Sequence, residues 1–262
     1  VWDHGKGLRA CSTKLIFFHS MIDLGVVLFH KRVRNIYQIK WIEKCIQSIF
    51  RQTYQSFDII ELNYHTEQEE FLKNQFASLS PPEWNGRWTT IYQPCSDHSV
   101  AMNVCFDYVK NQPSSSGQSY VAIANVNLDD YYDSHRFELQ MQQIRLGTHL
   151  VSSYFSHIRE FHFPPLFDSV DQVVFKIEPK VDDRDHLVRQ LRHTNIIAHP
   201  VVMLATSAWR SHEDICYRQE IPCEDWKLWQ RMMRHPEIKC VILPRHLLFY
   251  RIHDKQISAV PR

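Results

Sequence analysis

Asn127, Leu128, Asp129 and Asp130 follow closely on a strongly apolar run, Tyr120 to Ala124. Open α/β sheets bind ligands beyond the carboxyl ends of their strands, and a hard divalent cation carrying a diphosphate needs carboxylate oxygens there. Asp129 and Asp130 are therefore candidates to hold Mg2+ or Mn2+. The bland use of the same acids is to cap the helix that follows. A second acidic pair, Glu224 and Asp225, opens a segment in which Trp226, Leu228, Trp229 and Met232 can face a core. Acids in a first turn complement the helix dipole, and a carboxylate there can also act as a general base toward an attacking hydroxyl. Near the chain end, His253 could supply an imidazole to a cation and Arg251 could neutralise a phosphate. The alternative for both is simple solvation.

Other chemistries lack their markers. Sixteen histidines include no H-E-x-x-H pattern and no Cys/His zinc spacing. There is no Walker A loop and no G-x-S-x-G elbow. Gly5, Lys6 and Gly7 match part of a dinucleotide-binding loop, but no strand precedes them, so a chance match is expected. The seven cysteines are odd in number and include no C-x-x-C pair, which fits buried free thiols and a reducing, cytoplasmic location. Thirty basic residues against 29 acids leave a net charge of +1, too little to gather nucleic acid or an anionic membrane. The apolar stretches Leu15 to Phe18 and Leu24 to Phe29 are too short and interrupted to span a bilayer.

The elements that must position these groups follow an α/β order. A chain of 262 residues with 44% hydrophobic content suits one large domain, since single cores stop growing at roughly 250 to 300 residues. Residues 1–20 read as a leader or cloning remnant. From Leu24 to Phe29 a buried strand is expected, then a helix on which Ile39, Ile42, Cys45, Ile46 and Ile49 recur, and a second strand at Phe57 to Leu62. Further expectations are a helix over Glu67 to Phe76, a strand at Trp88 to Tyr92, a helix over Val100 to Val109, and the strand at Tyr120 to Ala124. This βαβαβαβ order predicts a mostly parallel sheet. Beyond it come a helix at Ser134 to Ile144, strands at Leu150 to Phe155 and Val201 to Ala205, a helix at Glu224 to Arg234, and two strands at Val241 to Leu243 and Leu247 to Ile252. Residues 157–193, with Pro164 and Pro165, resist a periodic reading and suit an excursion over a substrate.

Taken in order, the pieces resemble family 2 glycosyltransferases of the GT-A fold from about Leu24 to Ser258. Trp41 to Tyr54, ending in Gln52, Thr53 and Tyr54, looks like the family's opening helix and turn. Ala101, Met102 and Asn103 look like its Ala-Arg-Asn. The segment Asn127 to Asp130, with Arg136 and Gln140 beyond it, looks like its Asp-x-Asp-Asp and following helix. Ala198 to Met203 resembles the strand entering the acceptor half, Glu224 to Trp229 the Glu-Asp helix, and Tyr250 to His253 with Ser258 the closing motif.

The resemblance implies a GT-A, Rossmann-like three-layer α/β sandwich with a mixed, mostly parallel central sheet. Residues 21–262 would be one domain, with a nucleotide-sugar half at about 21–156 and an acceptor half at 157–262. It implies an inverting, metal-dependent hexosyl transfer from a nucleotide-diphosphate sugar, most simply a UDP-sugar, to a hydroxyl of a glycan, protein or small molecule. Asp225 would be the base with Glu224 beside it, Asp129 and His253 would hold Mn2+ or Mg2+, and Asn63, Asn103, Asn127, Asp130, Arg136 and Arg251 would meet the donor. Four positions depart from the pattern. Asn63 and Tyr64 replace the family's nucleoside-gripping acids, Met102 replaces an arginine, and Asn127 offers a neutral carbonyl in place of a carboxylate. They keep open a degenerate GT-A domain that binds carbohydrate or a protein without catalysis. A nucleotidyltransferase would want a glycine-rich loop after the first strand, where His30 to Asn35 has no glycine.

Overall fold

A computed structural model of the chain describes residues 21–30, 33–64, 70–95, 97–161, 169–220, 223–254 and 256. The expected leader, the Gly5 to Gly7 match, Pro164, Pro165 and Ser258 lie outside the described residues. In chain order the elements are β1 Leu24–His30, α1 Val33–Ile36, α2 Ile39–Phe50, β2 Phe57–Asn63, α3 Phe71–Phe76, β3 Trp88–Tyr92, α4 His98–Asn111, β4 Ala122–Val126 and β5 Tyr131–Tyr132. They continue with α5 Arg136–Arg145, β6 Leu150–Phe161, β7 Val170–Ile177, α6 Arg184–Leu191, β8 Met203–Ala205, α7 Thr206–Arg210, α8 Glu224–Met232 and β9 Cys240–Arg251.

The strands form one mixed sheet in the order β3-β2-β1-β4-β8-β6-β9-β5, with β7 also paired to β6. Its first half is wholly parallel. β1 and β2 read as unbroken apolar runs because both faces are covered, and every residue of each is buried. Alternate residues feed two cores. Leu24, Val26 and Leu28 pack with α2, α3 and α5 on one face, while Val27 and Phe29 pack with α4, α6 and α8 on the other. The result is the expected three-layer sandwich.

Buried polar groups stitch the layers. Gln52 donates to the carbonyl of Asp133 at 2.7 Å and accepts from the N–H of Phe137 at 2.9 Å, so the Gln-Thr-Tyr turn grips the start of α5. On β2, Glu61 accepts from Trp88 Nε1 at 2.8 Å and faces His30 Nε2 at 3.0 Å. Asp58 accepts from the N–H groups of Arg87 and Ser115 and from the Tyr120 hydroxyl. Both carboxylates are thereby satisfied inside the fold.

Two regions differ from the sequence reading. The two strands expected at Val241 to Leu243 and Leu247 to Ile252 are one strand, β9, running through Pro244. Its register against β6 shifts between Ser153 and Tyr154 and again between Tyr154 and Phe155, so bulges absorb Pro244, Arg245 and Leu247. The unread stretch holds the second half of β6, then β7 and α6. β7 pairs only with β6 and leaves Val170, Val173 and Phe175 exposed, so its pattern matches neither a buried strand nor a half-buried one.

Candidate functional site

The carboxyl ends of β1, β2 and β4 lie at one edge of the sheet, since the three strands are parallel and in register. Asn127 to Asp130 turn just beyond β4 at this edge. The turn is held by its main chain: the Asn127 N–H donates to the Tyr132 hydroxyl at 2.9 Å, and the Cys45 thiol donates to the Asn127 carbonyl at 3.3 Å. Asp129 and Asp130 do not cap α5, whose N-cap residue is His135.

β9 brings the C-terminal groups to the same place. His253 Nε2 lies 2.9 Å from Asp129 Oδ2, and both side chains are largely buried. The Arg251 N–H donates to Asp130 Oδ1 at 2.8 Å, while Asp130 Oδ2 is buried with no hydrogen-bond partner among the described residues. Burial first, and the neighbouring Asp129 second, push the Asp130 carboxyl well above the usual range. An imidazole nitrogen and a carboxylate thus meet where the turn after β4 and the end of β9 come together, and the next residue of the turn, Asp130, has one unpartnered oxygen.

The Arg251 guanidinium is fully engaged. It forms a two-toothed pair with Asp171 of β7, donates from Nε to the Asp129 carbonyl at 2.9 Å, and stacks over Trp41. Lys44 Nζ joins Asp171 at 2.6 Å. Burial works against the Asp171 carboxylate, but the hydrogen bonds from Arg251 and Lys44 prevail and hold its pKa below the ordinary value. Asp171 comes from the stretch that the sequence left unread, and a single acid in Val170 to Ile177 carries no spacing that would flag it.

Two residues expected to meet the donor make contacts within the fold. Arg136 is completely buried, donating to the carbonyls of Asn125 at 2.8 Å and Val202 at 3.4 Å and to Gln140 Oε1 at 3.1 Å. Desolvation lowers its pKa to about 10. Its Nε and Nη2 are taken up by Gln140 and the main chain beneath β4, while Nη1 is buried with no hydrogen-bond partner among the described residues. Asn103 clamps the peptide of Tyr217, donating to its carbonyl at 2.8 Å and accepting from its N–H at 2.9 Å. Both ends of its amide are occupied. Asn63 is buried at the carboxyl end of β2, beside His30.

Glu224 and Asp225 form the first turn of α8. Asp225 accepts from its neighbour's N–H, Trp226, at 2.6 Å and from Asn195 Nδ2 at 3.0 Å. Burial raises its pKa against those hydrogen bonds. Glu224 is raised by burial too, and its Oε2 has no partner among the described residues. His98 Nε2 stands 4.0 Å from Glu224 Oε1.

Around these acids gather groups with no sequence signature. His199 Nε2 meets the Tyr217 hydroxyl at 2.8 Å and Asn125 Nδ2 at 3.2 Å. Burial holds His98 down to about 4 and His199 to about 3, so both imidazoles are neutral near pH 7. Burial raises Tyr37 well above its ordinary value, with Asp129, Tyr64 and Asp130 adding. Burial likewise pushes Tyr64 up to about 12, and Glu224 adds to it.

No protein-family model matches the chain, and no curated protein is significantly similar to it. Solved structures are similar in fold. S. aureus TarS 1-349 in complex with UDP-GlcNAc aligns with a TM-score of 0.58 at 12% identity, covering 92% of this chain and 61% of that one. A longer S. aureus TarS structure aligns with a TM-score of 0.55 at 12% identity, over 88% of this chain and 37% of that one. The mannosyltransferase PcManGT from Pyrobaculum calidifontis, in complex with GDP-Man and Mn2+, aligns with a TM-score of 0.54 at 9% identity, over 86% of this chain and 55% of that one. The chain spans between about a third and three fifths of these neighbours' lengths. What they share with it, a mixed sheet between two helical layers, is the GT-A-like fold of glycosyltransferases.

Proposed function

We propose that this chain is a nucleotide-sugar-dependent glycosyltransferase domain, with the donor diphosphate at the Asn127 to Asp130 turn and the acceptor hydroxyl at Asp225. The observation that carries the reading is the approach of Asp129 Oδ2 and His253 Nε2 to 2.9 Å, with an unpartnered carboxylate oxygen on the next residue of the turn, Asp130. An oxygen and nitrogen donor set of this kind fits a divalent cation such as Mn2+. Asp129 and His253 would hold it, and when bound it would stabilise negative charge on the leaving diphosphate. The TarS complex with UDP-GlcNAc and the PcManGT complex with GDP-Man and Mn2+ support a donor of this class.

Asp225 carries the other half of the chemistry. Its raised pKa suits a base that must take a proton near neutral pH. As the acceptor oxygen forms a bond to the anomeric carbon, its proton passes to the Asp225 carboxylate. The bond from that carbon to the diphosphate breaks with the electron pair leaving on the phosphate oxygen, which inverts the centre. Asn195 holds one carboxylate oxygen and the Trp226 N–H the other, fixing the base in place.

A second reading, binding without transfer, is favoured by one observation. The cations expected near the diphosphate are engaged or missing: Arg251 pairs with Asp171, Arg136 with carbonyls, and Met102 is buried in the core. Calorimetric titration of UDP-GlcNAc and GDP-mannose with Mn2+ and with chelator, followed by mass spectrometry for sugar release, separates the two. Cation-dependent binding with turnover supports transfer. Binding of glycan without any nucleotide sugar supports the second reading.

A further inference from the structure

At the far end of α8 from Glu224 and Asp225, two turns face one another. His212, Glu213, Asp214 and Ile215 form one, closed by the Ile215 N–H donating to the His212 carbonyl at 3.2 Å. His235, Pro236, Glu237 and Ile238 form the other, closed by the Ile238 N–H donating to the His235 carbonyl at 3.1 Å. Each turn places a histidine first, an acid third and a buried isoleucine fourth, so each is anchored in the core while its polar side chains stay at the surface. Arg184 of α6 steadies the second turn by donating to the carbonyls of Met233 and His235, both at 2.8 Å.

We propose that His212, Asp214 and His235, completed by Glu237, form a structural metal site for a zinc-type divalent ion. One ligand atom from each of His212, Asp214 and His235 lies within 4.8 Å of the others. His235 Nε2 is 2.9 Å from Asp214 Oδ1, and His212 Nε2 is 3.0 Å from Glu237 Oε1. The two imidazole centroids are only 4.0 Å apart. A tetrahedral ion with bonds of about 2.0 to 2.2 Å sets its ligand atoms about 3.4 Å apart, close to the spacing of the three clustered atoms, and Glu237, 3.0 Å from His212 Nε2, would turn in as the fourth. Two imidazoles and two carboxylates are a donor set that suits zinc over magnesium or calcium.

The site is distinct from the Asp129 and His253 pair. β9 runs with β6 and against β8, which runs against β4, so Cys240 starts β9 at the sheet edge opposite Asn127. The sequence concealed it because each half is a two-ligand fragment, His212 with Asp214 and His235 with Glu237, separated by the whole of α8. A bound ion would staple the α7-to-α8 connection to the α8-to-β9 turn and so fix the helix that carries Asp225.

The test titrates Zn2+ calorimetrically, and Co2+ by visible absorption, into the D129A/H253A variant, which lacks the other candidate ligands. One equivalent taken up, with the intense visible bands of tetrahedral Co2+, is the expected result. The H212Q/H235Q variant, compared by circular dichroism to establish folding, loses that uptake and the accompanying rise in Tm. Asp214→Asn keeps both imidazoles and weakens binding at least tenfold, which provides the readout if the double variant is unfolded. Failure of D129A/H253A to bind Zn2+ or Co2+, or uptake unaffected by H212Q/H235Q, overturns the proposal and leaves an ordinary histidine-carboxylate network.

Discussion

His253 Nε2 approaches Asp129 Oδ2 to 2.9 Å across 124 residues of chain. The contact joins the turn after β4 to the segment after β9. It forms only because β9 runs beside β6 in the direction of β4, so that both chain segments leave the sheet at the same edge. The Arg251 main-chain bond to Asp130, from the last residue of β9, fixes the same junction two residues earlier. A ligand held here reads the completed fold.

If this junction holds the cation, donor affinity in the wild type is at least tenfold tighter with Mn2+ than with chelator. Asp129→Asn removes the charged oxygen while keeping a similar volume, and the two affinities then converge. Calorimetric titration of UDP-GlcNAc checks it. Equal wild-type affinity with and without the cation removes the metal from the reading.

Asp225→Asn leaves donor binding nearly unchanged and cuts transfer about 10²- to 10⁴-fold, because only the proton acceptor is lost. The amide can still accept from the Trp226 N–H, so α8 keeps its start. Single-turnover sugar release, measured beside donor affinity, separates the two effects. Turnover at the wild-type rate reassigns the base, and Glu224, whose Oε2 has no partner among the described residues, is the next residue to vary.

Arg136→Met tests a residue whose sequence context points to the donor and whose surroundings point to the fold. The substitution removes the Arg136 donors from the Asn125 carbonyl and the Gln140 side-chain oxygen in the core, while the Val202 carbonyl keeps the Asn125 N–H. A loss of about 2 to 4 kcal/mol in urea unfolding is expected, with donor affinity in the remaining folded protein unchanged. Normal stability with weakened donor binding restores the phosphate role.

The parallel half was legible because β1, β2 and β4 are covered on both faces, and an unbroken apolar run has few other uses in a chain of this length. The Asp129 turn was legible for a similar reason, since acids after such a run need a purpose. Asp171, His199 and Tyr217 were not. Their roles depend on a partner far away in sequence, Arg251 for Asp171 and the Asn125 amide for His199, and local spacing carries no trace of such pairs. Asn103 and Arg136 show the converse. Their motif positions were visible, but only the packing reveals that the Tyr217 peptide and the β4 carbonyls occupy them.

The buried imidazoles make stability depend on pH in a defined direction. His199 is held to about 3 in the folded chain by burial, with His98 and Arg136 adding, against about 6.5 for an unfolded histidine. Below pH 6.5 the unfolded chain takes a proton that the folded chain refuses, so its contribution to stability is complete above that pH and is lost as the pH falls toward 3. Between pH 7 and pH 5 the loss from this residue is about 2 kcal/mol. His199→Gln keeps an acceptor for the Tyr217 hydroxyl and removes the titration. Urea midpoints at the two pH values should therefore separate less in the variant than in the wild type. An unchanged separation means that His199 is protonated in the fold, and the Tyr217 hydroxyl then accepts a hydrogen bond from the imidazolium.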